Sequence, residues 1–88
     1  MSDKAWYLYV VSCSDGSLYT GVTTNLDRRV REHNTGKRGA KYTKTRRPVK
    51  LLWSKEYESR SEAQSAEYKF KQLFRAQKLQ IINKREDV

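Results

Sequence analysis

Apolar and aromatic residues run almost unbroken along 5–13, Ala-Trp-Tyr-Leu-Tyr-Val-Val-Ser-Cys, with no helix cap in front, which is the pattern of a strand. Ser14-Asp15-Gly16-Ser17 is a turn sequence, and Leu18 to Val22 reads as the returning strand of a hairpin. Asn25 is placed to cap a helix running to about Asn34, with Asp27 in its first turn and Gly36 as its stop. A third strand is expected over Val49 to Tyr57. Ser59 or Ser61 then caps a helix over about 61–74, with Ala63, Ala66, Phe70, Leu73 and Phe74 as its apolar stripe. Leu79, Ile81 and Ile82 suggest a last helix over about 75–83. The order β-β-α-loop-β-α-α predicts an α+β fold, a small antiparallel sheet with helices packed on it.

Eighty-eight residues set an expectation of one domain over 1–88, with a core at about 5–83. Hydrophobic residues at 36% and six tyrosines argue against a disordered chain. No apolar run approaches the roughly 18 residues of a membrane span, and no apolar signal segment opens the sequence. With Cys13 as the one cysteine and His33 as the one histidine, neither a disulfide framework nor a usual zinc site is available. The expected setting is the cytoplasm. Large multidomain enzymes, dinucleotide folds and secreted scaffolds are excluded.

Charge is unevenly spread along the chain. Nineteen Lys and Arg against ten Asp and Glu leave +9, and seven of those charges lie between Thr35 and Lys50, where no acidic residue occurs. Lys37, Arg38, Lys41, Lys44, Arg46, Arg47 and Lys50 alternate there with Gly36, Gly39 and Pro48, the composition of a loop with one short helical turn. Basic side chains on a flexible stretch, with Tyr42 among them, suit a phosphate backbone and its bases. The competing explanation is a solvated loop that maintains solubility.

Candidate chemistry comes from polar residues on apolar faces. Glu67 lies four residues after Ala63 and three before Phe70, within the stripe of its helix. A carboxylate there needs a basic partner, a hydrogen-bond network or a metal ion. On the first helix, Arg29 and His33 share the side of Leu26 and Val30, spaced to reach a common anion, while Arg28 points away. Along the first strand, Tyr7, Tyr9, Val11 and Cys13 share one face and Trp6, Leu8 and Val10 the other. Tyr19 joins the Tyr9 face only if the hairpin loop has three residues, with Gly16 left-handed and Cys13 opposite Ser17. A two-residue Asp15-Gly16 loop puts the tyrosines on opposite faces.

Taken in order, these residues resemble the GIY-YIG nuclease domain. Tyr7-Leu8-Tyr9 stands for the first signature and keeps its final Tyr; Tyr19-Thr20-Gly21 stands for the second; Arg29, His33 and Glu67 follow at the family's spacing. The chain looks most like the small stand-alone bacterial members. The resemblance implies a three-stranded antiparallel sheet with helices around it, both tyrosines on one site, and hence the three-residue loop. It implies hydrolysis of DNA phosphodiesters with one divalent cation, Mg²⁺ or Mn²⁺, held by Glu67, in a repair or recombination setting. Arg29 would clamp the phosphate, Tyr19 would take the proton of the attacking water, Tyr9 would orient water or phosphate, and His33 would bond Tyr19 or relay its proton. The residues alone do not assign the base among Tyr9, Tyr19 and His33. The basic loop (Lys37, Arg38, Lys41, Tyr42, Lys44, Arg46, Arg47) would hold the DNA backbone, and a protein partner would supply targeting. Asn83 is the candidate for an Asn that many members carry beyond the Glu helix. The readings set against this are a non-catalytic nucleic-acid-binding module and a protein-interaction domain.

Overall fold

The computed structural model describes residues 5–36 and 38–84. Strands β1 (Trp6–Ser12), β2 (Leu18–Thr23) and β3 (Lys50–Tyr57) form an antiparallel sheet in the order β2-β1-β3. Helix α1 (Leu26–Thr35) and the one-turn α2 (Lys41–Lys44) fall between β2 and β3, and α3 (Arg60–Lys71) and α4 (Arg75–Lys84) follow. The expected α+β order holds, with the short helical turn of the basic loop as α2. Among the described residues, no helix is long and apolar enough to cross a membrane.

The hairpin closes through three residues. The Cys13 N–H donates to Ser17 O at 2.8 Å, and Gly16 takes φ +86°, a left-handed conformation that glycine adopts without a Cβ penalty. Tyr9 therefore faces Gly21 and Val11 faces Tyr19, the register that puts both tyrosines on one face. Caps set the helices. The Asn25 side chain accepts from Arg28 N, and Ser59 from Glu62 N, so Ser59 rather than Ser61 starts α3.

Each face of the sheet has its own core. Leu8, Val10 and Trp53 pack against Ala66, Phe70 and Ile82 of α3 and α4. Tyr9, Val11, Cys13 and Val49 pack against Leu26 and Val30 of α1, with Tyr19 at the rim.

Phe74 departs from expectation: it lies outside the α3 stripe and is 79% exposed. The helix stops at Lys71, and the Gln77 side chain reaches back to accept from Phe74 N at 2.8 Å, which starts α4 with a fresh helical phase. On β3, a bulge opposite Val10 and Val11 pairs them with Trp53 and Leu51, leaving Leu51 and Leu52 at the exposed sheet edge.

Candidate active site

Tyr9, at the middle of the central strand, is 1% exposed. Its ring lies over Gly21 of the neighbouring strand, where a Cβ would stand 2.6 Å from the hydroxyl oxygen and 2.8 Å from Cζ. A residue without a side chain is therefore needed beside Tyr9. Helix α1 brings Arg29 and His33, one turn apart, to the same hydroxyl. His33 Nε2 lies 2.8 Å from Tyr9 Oη, and Arg29 Nε–H donates to that oxygen at 3.4 Å.

Behind His33 stands a residue that the sequence reading did not single out. Thr43 of α2 is fully buried; its Oγ1 lies 2.8 Å from His33 Nδ1 and donates to Ala40 O at 2.9 Å. Nothing in Lys41-Tyr42-Thr43-Lys44 distinguishes Thr43 from loop polarity. Asn34 was missed for the same reason: its amide donates to Val49 O at 3.1 Å and accepts from Val49 N at 2.7 Å, clipping α1 to the start of β3.

Arg29 is anchored on several sides. Its Nη1 donates to Glu32 Oε1 at 3.0 Å and to Arg38 O at 2.7 Å, while Nη2 has no such partner among the described residues. A guanidinium fixed in this way, with N–H groups to spare, is arranged to receive an anion.

Burial is the main cause of the shifted titrations. It pushes Tyr9 up to about 12 against the opposing hydrogen bond and charge of Arg29, while the charges of Tyr19 and Glu67 add to the rise. Burial also pushes His33 down to about 4, helped by the positive charges of Arg29 and Arg47 and opposed by Glu32. Near neutral pH, Tyr9 keeps its proton and His33 is uncharged.

Tyr19 occupies a different position. It lines an open groove of about 270 Å³ with Leu18, Thr20, Tyr42, Lys71 and Lys78. Its ring stacks on that of Tyr42, with centroids 6.0 Å apart, and meets His33 edge-on at 5.2 Å. The expected hydrogen bond between His33 and Tyr19 is not formed. The imidazole gives Nε2 to Tyr9, because Tyr9 projects from the central strand directly beneath α1, whereas Tyr19 sits at the rim.

Glu67 has a side chain 21% exposed, and its Oε2 pairs with Lys71 Nζ at 3.0 Å, one turn along α3. The carboxylate in the stripe thus finds its basic partner on its own helix, and that lysine also lines the Tyr19 groove. Among the described residues, no three His, Cys, Asp or Glu side chains gather to hold a metal ion.

The basic loop divides by role. Arg46 pairs with Asp15 at 3.0 Å, donates to Tyr42 O at 2.8 Å and lies 4.0 Å over the Tyr42 ring. Arg47 donates to His33 O and Gly36 O, carbonyls that the end of α1 leaves without helical partners. These two arginines were expected on the phosphate backbone, but their bonds here fold the loop onto α1 and the hairpin. Arg38, Lys41, Tyr42 and Lys44 are exposed; Lys37 lies outside the described residues. Asn83 is exposed on α4 and makes no side-chain hydrogen bond to this cluster among the described residues.

A fold of this order, with two strand tyrosines meeting a helical Arg and His, is that of a nuclease family. The family model for the GIY-YIG catalytic domain matches residues 5–80, and the chain belongs to the GIY-YIG family. It is similar to a UPF0213 protein of Staphylococcus haemolyticus, 54% identical over 90% of this chain and 95% of the relative. A UPF0213 protein of Streptococcus agalactiae is 58% identical over 86% of this chain and 85% of its own. The solution NMR structure of a UPF0213 protein from Bacillus halodurans superposes with TM-score 0.58 at 44% identity, covering 90% of this chain and 83% of that one. That of a protein from E. faecalis superposes with TM-score 0.62 at 40% identity, covering 97% and 91%.

Proposed function

We propose that this protein is a divalent-metal-dependent endonuclease that hydrolyses DNA phosphodiester bonds. The observation that carries the reading is the convergence of Arg29 and His33 on the Tyr9 hydroxyl, beside a groove walled by Tyr19 and by the lysine paired with Glu67. A module that only bound nucleic acid would need the loop lysines but neither an anchored Arg nor the part-buried carboxylate of Glu67.

Glu67 fits a hard cation. Its carboxylate already attracts the ammonium of Lys71, a residue that lines the groove, and it stands outside any cluster of three ligands among the described residues. Mg²⁺ or Mn²⁺, which keep most of their waters, suit one carboxylate; zinc, which requires several protein ligands, does not. When bound, the cation supplies charge stabilisation for the pentacovalent phosphorus and the leaving oxygen.

This chain's own residues do the rest. Arg29 binds the non-bridging oxygens with the N–H groups its anchors leave available. Tyr19, which lines the groove, takes the proton of the attacking water as a phenolate, a form that a nearby cation favours. Tyr9 is unsuited to that step: it is 1% exposed, its hydroxyl is engaged by His33 and Arg29, and burial holds its proton. It orients Arg29 instead. Arg38, Lys41 and Lys44 hold the backbone alongside.

Plasmid and branched DNA incubated with Mg²⁺ or Mn²⁺ test the proposal. Wild type should nick and Arg29→Ala should not. Undiminished cleavage by Arg29→Ala refutes the assignment, and gel retardation without cleavage by both proteins identifies a binding module.

A further inference from the structure

We propose that Thr43 is a positioning residue that sets the tautomer of His33 and, through Tyr9, the orientation of Arg29. One buried chain of hydrogen bonds fixes where each donor goes. A threonine hydroxyl has one proton, and Thr43 directs it to Ala40 O at 2.9 Å, a carbonyl that also accepts the Thr43 and Lys44 N–H groups. Its oxygen is then an acceptor, so the contact of 2.8 Å with His33 Nδ1 is an Nδ1–H donation. Nε2 keeps its lone pair and accepts the Tyr9 hydroxyl proton at 2.8 Å, which leaves the Tyr9 oxygen to accept Arg29 Nε–H at 3.4 Å. Every bond in the series runs from Arg29 towards Ala40, and no buried side-chain polar atom among the described residues lacks a partner.

The opposite tautomer breaks this order. An Nε2–H would donate to Tyr9, whose oxygen would then receive both His33 and Arg29 while its own proton had no acceptor in the cluster. That alternative would keep one bond that the Nδ1–H form gives up, the long donation from Ala40 N–H to Nδ1 at 3.5 Å. The Thr43 hydroxyl decides between the two states. The loop's short helix thereby acts on the site through its buried side, while Lys41, Tyr42 and Lys44 on either side of Thr43 are exposed.

The phosphate-binding role of Arg29 rests on the function proposed above; the tautomer does not. Nitrogen-15 NMR of the His33 ring should show a protonated Nδ1 and a bare Nε2 in wild type. Thr43→Val should reverse them and shift the Arg29 Nε–H resonance, and Thr43→Ser should restore both. Binding of a short DNA duplex in the absence of divalent metal should weaken up to about tenfold in Thr43→Val. That loss should not add to the loss in Arg29→Ala.

A wild-type ring protonated at Nε2 overturns the inference outright, and this measurement needs no variant to fold. A reversed tautomer with an unmoved Arg29 resonance overturns the coupling. A duplex that binds none of these proteins, beside the expected tautomers, removes the DNA reading and leaves the positioning role standing.

Discussion

Gly21→Ala adds one methyl group at the point where the second strand meets the site. The new Cβ would lie 2.6 Å from the Tyr9 hydroxyl oxygen, against the 3.4 Å at which ordinary contacts begin, so the ring must give way by about 0.8 Å. Tyr9 is held by the sheet on one side and α1 on the other, and its bond to Arg29 is already 3.4 Å long. A displacement of that size breaks the Arg29 bond or stretches the one to His33 out of range. Overpacking a core in this way, or leaving one buried hydroxyl unpaired, costs about 1–3 kcal/mol. At about 4–8 °C per kcal/mol for a domain of this length, the melting temperature should fall by at least about 4 °C. Thermal unfolding followed by circular dichroism measures the fall, and proton NMR of the Tyr9 hydroxyl reports the lost bond. A Gly21→Ala protein that melts with wild type and keeps the Tyr9 to His33 bond refutes the packing described here.

Three further outcomes follow from the same geometry. His33 is depressed to about 4 from an ordinary 6.5, so the unfolded chain binds its proton more readily. Stability should be full above about pH 6.5 and decline on acidification, by about 2 kcal/mol at pH 5; urea unfolding should show a slope that His33→Gln flattens. Arg47→Ala removes donors to His33 O and Gly36 O and should cost about 1–3 kcal/mol, with faster amide exchange across 38–46. Lys44→Ala, on an exposed side chain, should change stability by under about 0.5 kcal/mol yet lower the salt dependence of DNA binding by about one unit of slope.

Much of this was readable from the chain, and each exception has a physical cause. Strand alternation and helix caps are local, so β1, β2 and α1 were legible, and helical spacing alone placed Arg29 and His33 on one face. The hairpin register required the family resemblance, because Ser14-Asp15-Gly16-Ser17 supports two turn lengths. Phe74 was misplaced because hydrophobic periodicity does not register a break in helical phase, which a distant-looking Gln77 creates by capping α4. Thr43, Asn34 and the bonds by which Arg46 and Arg47 brace the loop were illegible for a different reason. Each is defined by a partner 10 to 31 positions away, and the charge of the loop alone favours solvent or phosphate.

The proposed chemistry turns on Glu67 holding the cation on which cleavage depends. Supercoiled plasmid should be nicked by wild type in Mg²⁺ or Mn²⁺ and left intact by Glu67→Ala, with both proteins binding the DNA in the absence of metal. Metal-dependent nicking by Glu67→Ala at the wild-type rate would remove Glu67 from the cation site.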